Sequence, residues 1–271
     1  MKNNLIHPSS VIEPGAKLAD DVIVGPFSYI GSEVNLHSGV EIKSHVVVKG
    51  KTEIGEKTVV YPFAVIGEIP QDLKFNGEKT SLRIGKRNQI REHVTINTGT
   101  ALGGGLTSVG NDCLLMTGSH VAHDVKINNK VIIANCGAVA GHCVIEDDVI
   151  IGGLSGIHQF VRIGRGAIIG AVTMVTNDVI PFGLVQGPRG VLDGLNLIGL
   201  KRKGVDRSDI TALREAFQSL AQGDGTFHDR AKKLAEETAN EYVDLITNFN
   251  NSFVPCKVSI PNTNPFSITI P

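Results

Sequence analysis

The chain contains no tryptophan, and aromatic residues make up only 5% of its 271 positions. A core built on large rings is thereby excluded, so small branched aliphatics must fill it. Four cysteines are present, Cys113, Cys136, Cys143 and Cys256, with no CxxC spacing among them. That excludes a disulfide framework and leaves small apolar residues in a reducing compartment. An excess of charge is also missing, with 26 basic residues against 27 acidic ones. No field is set up for nucleic acid or for an anionic membrane surface. No apolar run approaches the ~18 residues of a membrane span, so no transmembrane segment is expected. The opening stretch MKNNLIHPSS lacks the apolar region of a secretory signal. A cytoplasmic protein is the expectation.

What the chain does have is a branched aliphatic at every sixth position. The first run extends from Ile6 through Val24, Ile42 and Val60 to Ile66; a short one covers Ile84, Ile90 and Ile96; a third extends from Val109 through Ile133 and Ile151 to Val175. Neither a helix of period 3.6 nor an ordinary strand of period 2 explains this. A six-residue period with Gly, Asn or Asp between the aliphatics marks a parallel β-helix. Three hexads close one triangular coil of eighteen residues, and coils stack at the strand spacing of ~4.8 Å. Residues eighteen apart therefore lie one above the other.

The period breaks twice. Residues 68–82 (EIPQDLKFNGEKTSL) and 101–107 (ALGGGLT, with a triple glycine) hold no in-phase aliphatic. Both read as loops pushed out of a coil corner, where the scaffold does not need them. The repeat ends near Val179–Pro181, giving a β-helix domain over 1–190 and a helical domain over 191–271. In the second domain, SDITALREAFQSLAQ carries Ile210, Leu213, Phe217 and Leu220 on one face. A further helix is expected from Thr226, capped by Asp229, to about Asn248. The last segment, VPCKVSIPNTNPFSITIP, is a proline-rich tail.

Histidine carries the chemistry. Counting eighteen from His123 gives Gly141, and eighteen more gives Gln159. His142 and His158 flank these positions, and His120 precedes them. The six residues should line one strip across three coils. His123 suits a general base, since imidazole takes up a proton near neutral pH and works best when a carboxylate holds its tautomer. Asp124 is adjacent, but adjacent strand residues point apart, so the pair meets only if the chain bends there. Gly141 has two readings, a bare N–H aimed at an oxyanion or a routine corner glycine. Clustered histidines also suit zinc, as in the γ-class carbonic anhydrases, although His-x-x-His is not the spacing of those enzymes. A strip that merely packs a trimer interface is a further reading.

Several stretches together resemble the UDP-N-acetylglucosamine O-acyltransferase family of lipid A biosynthesis: GEIPQDLKFNGEKT (67–80), IREHVTINTGT (90–100), GGGLT (103–107), GNDCLLMTGSHVAHD (110–124), AGH (140–142), HQF (158–160) and GLNLIGLKRKG (194–204). The resemblance runs from about Asn4 to Lys203. It implies a left-handed β-helix, a homotrimer with sites between subunits, and transfer of an R-3-hydroxyacyl group from acyl carrier protein to the 3-hydroxyl of UDP-N-acetylglucosamine. No cofactor is implied beyond the carrier's phosphopantetheine. His123 then corresponds to the general base, Asp124 to its orienting carboxylate and Gly141 to the oxyanion donor. His120, His142, His158 and Gln159 match residues lining the substrate cleft. Asp72 and Lys74 match contacts to the acyl-sugar portion; Asn196 and Arg202 match residues near the nucleotide and the phosphopantetheine. Ala171 stands where longer-chain members have glycine at the bottom of the acyl groove, which implies a shorter acyl chain here.

The chain also departs from that pattern. Ile198 replaces a frequent Glu, Asn97 and Thr98 replace a common His-Arg pair, and Arg189 replaces a frequent His. These departures leave open a 3-amino acceptor in place of the hydroxyl. The later N-acyltransferase of the same pathway carries an extra N-terminal domain, whereas here the repeat begins by Ile6. A non-catalytic hexapeptide scaffold is the reading from a different class. No Ser nucleophile sits beside the base, and Cys143 is the nearest thiol.

Overall fold

A computed structural model describes residues 5–222 and 224–249. Short strands, most of two residues, coil into a left-handed parallel β-helix with three flat faces. The first face stacks eleven strands, the second nine and the third eight. Registers follow the eighteen-residue spacing, as in Leu5 on Ile23 and Ile133 on Ile151. The spacing widens where the period breaks. Val65 pairs with Thr95 and Thr95 with His120, so the two loops add twelve and seven residues to their coils. Both loops leave from one corner, between the second and third faces.

The sixth-residue aliphatics point inward. Ile42, Ile66, Ile96, Ile133 and Ile151 are 0% exposed. Each side chain buried this way contributes about 1.5–3 kcal/mol. The first coil is the exception, because among the described residues no coil lies beneath it: Leu5 is 69% and Ile6 39% exposed.

Most corners turn through a residue in the left-handed backbone region, and the three corners differ in chemistry. The corner from the first to the second face carries Phe27, His45, Phe63 and His93, whose rings stack at 5.0–5.1 Å. Higher up, the same corner exposes Leu154 and Val172. The corner from the third to the first face is charged, with Arg87 donating two hydrogen bonds to Asp112 and Lys203 pairing with Asp148. The remaining corner holds Asp124, His142 and Phe160.

An antiparallel hairpin, Gly183–Gln186 with Val191–Leu195, closes the top of the first face. It carries the sheet to Leu195, past the boundary that the periodicity puts at 190. Four helices follow: α1 (Leu197–Arg202), α2 (Arg207–Ala221), α3 (Phe227–Glu237) and α4 (Glu241–Phe249). α2 buries Ile210, Leu213 and Leu220, and Thr226 with Asp229 forms a capping box on α3. The single long helix expected from Thr226 is two helices. Thr238 turns extended and ends α3, while the Asn240 carboxamide oxygen accepts from the N–H groups of Tyr242 and Val243 and starts α4. Asparagine competes with the helix backbone in this way wherever a start is available. Arg162 fastens α4 to the β-helix, lying 4.3 Å over the Phe249 ring while donating to Glu146. The proline-rich tail lies outside the described residues. Among the described residues no helix is long and apolar enough to cross a membrane.

The ladder makes a differential prediction. Ile133→Ala, in the closed interior, should cost about 2–5 kcal/mol, and Ile6→Ala, at the open end, less than about 1 kcal/mol. Denaturant unfolding measures both, and equal losses would contradict a core that is closed only by stacked neighbours.

Candidate active site

His123 and Asp124 occupy the corner between strands His120–Val121 and Lys126–Ile127. Asp124 has a φ of 60°, in the left-handed region. That bend turns two adjacent side chains toward each other, and His123 Nδ1 lies 2.8 Å from Asp124 Oδ2. A carboxylate only accepts, so the shared proton sits on Nδ1 and the Nε2 lone pair is left free. The Asp124 side chain is 1% exposed and that of His123 7%.

Asp124 is held from below by the second loop. Thr100 N–H donates to Oδ1 at 2.8 Å and the Thr100 hydroxyl to Oδ2 at 2.7 Å. Asp124 N–H in turn donates to the Thr107 hydroxyl at 2.8 Å. The triple glycine makes this approach possible, since a Cβ on Gly103 would sit 2.0 Å from Asp124 Cγ.

Gly141 stacks on His123 as the eighteen-residue count requires. A Cβ there would lie 2.6 Å from His123 Cε1, so the imidazole occupies the space that a side chain would fill. Among the described residues nothing accepts the Gly141 N–H. The turn thus leaves the Gly141 N–H without an acceptor among the described residues and places it beside the His123 ring.

His142 packs edge-on to His123 at 5.0 Å and stacks on Phe160 at 4.6 Å with the planes 2° apart. Its Nδ1 lies 3.8 Å from Asp124 Oδ2. His120 is half-buried and its Nδ1 hydrogen-bonds the Thr95 hydroxyl at 2.7 Å. Burial first, and then the neighbouring His123, push the His120 pKa below its usual value, which favours the neutral ring. His158 and Gln159 lie one coil above and are exposed.

His123, Asp124 and His142 are also a possible ligand set for a metal ion. Asp124, however, already accepts three hydrogen bonds through its two oxygens, which makes it a holder of imidazole. Cys143 is not a nucleophile in waiting. Its side chain is 0% exposed, its thiol donates to the His158 carbonyl, and burial pushes its pKa up to about 12.

The other sequence-predicted residues do not join this cluster within one chain. Asp72 and Lys74 lie in the first loop, two coils below at the same corner, where the Asp72 carboxylate accepts from Lys74 N–H. Asn196 caps α1, accepting from Gly199 N–H and donating to the Gly166 carbonyl. Arg202 is exposed at the end of α1. Ala171 sits on the apolar corner, beside Val172. Sequence reasoning missed Thr100, Thr107 and Phe160. Phe160 was accessible, being eighteen residues beyond His142; the two threonines flank a loop whose path no periodicity describes.

Residues 178–253 match the family described as UDP-N-acetylglucosamine O-acyltransferase, domain 2. The acyl-[acyl-carrier-protein]–UDP-N-acetylglucosamine O-acyltransferase of Paracoccus denitrificans is 64% identical over 70% of this chain and 72% of its own length. The enzyme of the same name from Rhizobium johnstonii is 47% identical over 87% of this chain and 86% of its own. Among solved structures, LpxA from Acinetobacter baumannii superimposes with a TM-score of 0.88 at 38% identity, over 90% of this chain and 95% of that one. The chain therefore belongs to the acyl-[acyl-carrier-protein]–UDP-N-acetylglucosamine O-acyltransferases, the enzymes of lipid A biosynthesis.

Proposed function

We propose that the enzyme transfers an R-3-hydroxyacyl group from the phosphopantetheine thioester of acyl carrier protein to the 3-hydroxyl of UDP-N-acetylglucosamine, with His123 as the general base. One observation carries this reading: His123 is fixed through Nδ1 by Asp124, keeps Nε2 free, and lies against the unpaired N–H of Gly141. Nε2 takes the proton of the sugar hydroxyl as its oxygen attacks the thioester carbonyl. The tetrahedral oxyanion accepts from Gly141 N–H. Collapse breaks the C–S bond, and the departing thiolate takes the proton back from His123. Asp124 stays ionised and stabilises the imidazolium between the two transfers. No acyl-enzyme forms, and no metal or organic cofactor enters the step. His120, His142, His158 and Gln159 line the acceptor side. Lys201 and Arg202 offer charge to an acidic carrier protein. A nucleotide sugar and a carrier-bound acyl group are cytoplasmic substrates, so the cytoplasm is the proposed location.

The site is completed between subunits. Asp72 and Lys74, Asn196 and Arg202, and Ala171 stand on separate parts of one chain. Ala171 is on the apolar corner, across the second face from His123. A residue there meets an acyl chain seated at His123 only if the apolar corner of one subunit faces the catalytic corner of the next. Three such contacts close a trimer. The exposed Phe27 and Phe63, 65% and 51% accessible, supply the apolar contact. In that arrangement Ala171 limits the acyl groove.

Three outcomes are expected. His123→Ala should lower kcat by about 10²–10⁴ while leaving the assembly intact, whereas Cys143→Ala should stay within about twofold of the parent; full activity in the first variant refutes the base. Light scattering should give a trimer, and Phe63→Asp should break it and lose activity together; an active monomer would contradict a shared site. Ala171→Gly should shift preference toward longer acyl donors in a competition assay, and an unchanged preference would remove Ala171 from the groove.

A further inference from the structure

The Asp124 carboxylate has two histidines within reach and serves one. His123 Nδ1 is 2.8 Å from Oδ2, and His142 Nδ1 is 3.8 Å from the same oxygen. We propose that Thr100 is a positioning residue that decides between them. This rests on His123 being the base.

A carboxylate oxygen presents two lone pairs in its plane. On Oδ2, one receives His123 Nδ1–H and the other the Thr100 hydroxyl at 2.7 Å. Oδ1 receives Thr100 N–H. The hydroxyl has no freedom to turn away, because Gly103 N–H donates to the Thr100 oxygen at 3.2 Å and directs its hydrogen to Asp124. Thr100 is itself only 5% exposed, so water does not substitute for it.

His142 is thus kept out by occupancy, not by distance. Its ring rests parallel to Phe160 and edge-on to His123. A shift of about 1 Å would bring its Nδ1 to hydrogen-bonding distance of Oδ2. Once the hydroxyl is gone, the freed lone pair draws His142 in. His142 Nδ1–H then draws on the same oxygen while the carboxylate loses the donor that fixes its plane, so the hydrogen bond that holds His123 in the tautomer leaving Nε2 free is weakened. The triple-glycine loop acquires its purpose from this: it carries Thr100 to the carboxylate, and any side chain on Gly103 would block the approach.

The test uses the full chain, labelled with ¹⁵N-histidine, as Thr100→Val and Thr100→Ser. Valine keeps the shape and the backbone N–H but removes the hydroxyl; serine restores it. In Thr100→Val, kcat should fall about 10- to 100-fold with KM within about twofold. The hydrogen-bonded Nδ1–H resonance of His123 should weaken as one from His142 appears. Thr100→Ser should restore kcat and the His123 resonance. Adding His142→Phe to Thr100→Val should restore the His123 resonance, because the competitor is gone. A loop that is merely loosened would lower the melting temperature without exchanging one histidine resonance for the other, and would overturn the proposal. So would an unchanged kcat and resonance in Thr100→Val. The resonance needs no turnover, so it tests Thr100 separately from the base: activity surviving in His123→Ala would refute the base alone.

Discussion

Everything in this molecule depends on register. An aliphatic at each sixth position is buried only if every coil sits directly on the one below. A slip by one residue would turn all the inward side chains to solvent. With Ile133 and Ile151 fully enclosed, and each worth about 1.5–3 kcal/mol, many such terms forbid the slip together. Register held this tightly makes eighteen residues in sequence equal one coil in space. The stacking of Gly141 on His123 and of Phe160 on His142 is inherited from that equality.

The corners are where the scaffold leaves room for chemistry. Along a strand, side chains alternate, and neighbours such as His123 and Asp124 would face apart. The left-handed backbone at Asp124 reverses that alternation for one residue. One coil above, the equivalent turn leaves the Gly141 N–H without an acceptor among the described residues, at no cost to the ladder. Insertions are tolerated there for a related reason. Twelve extra residues before Ser81 and seven before Leu106 leave the paired strands above and below unchanged. Both loops and the dyad therefore accumulate on one corner, where the second loop reaches the carboxylate.

Much of this was legible in the chain itself. The hexad fixes the faces, the count of eighteen brings His123 to Gly141, and Thr226 with Asp229 marks a helix start that the structure shows. Illegible features were those set by backbone path or by local competition. Thr100 holds Asp124 across twenty-four residues through a loop without periodicity. Asn240 splits a helix whose apolar positions, Leu234, Tyr242, Leu245 and Ile246, continue on either side of it, because a short-range cap outcompetes the pattern. The contact between His123 and Asp124 stood between the two cases: the residue types announced it, but only the φ of Asp124 decided it.

The second face supplies the physical ground for the proposed shared site. Along one edge run stacked and exposed rings, along the other a dyad with little of its own surface exposed. An apolar edge of this length gains nothing while it faces water, and a dyad gains nothing without a groove to hold an acyl chain beside it. In the proposed trimer, turning the face toward a copy of itself about a threefold axis would bring unlike edges together and satisfy both needs with one contact. Placing the second edge on the same chain would require the coil to fold back on itself, which a stacked ladder in fixed register does not permit. On the proposed reading, assembly is what lets this scaffold enclose an acyl chain, and the expected dependence of activity on oligomerisation follows from the rigidity of the repeat.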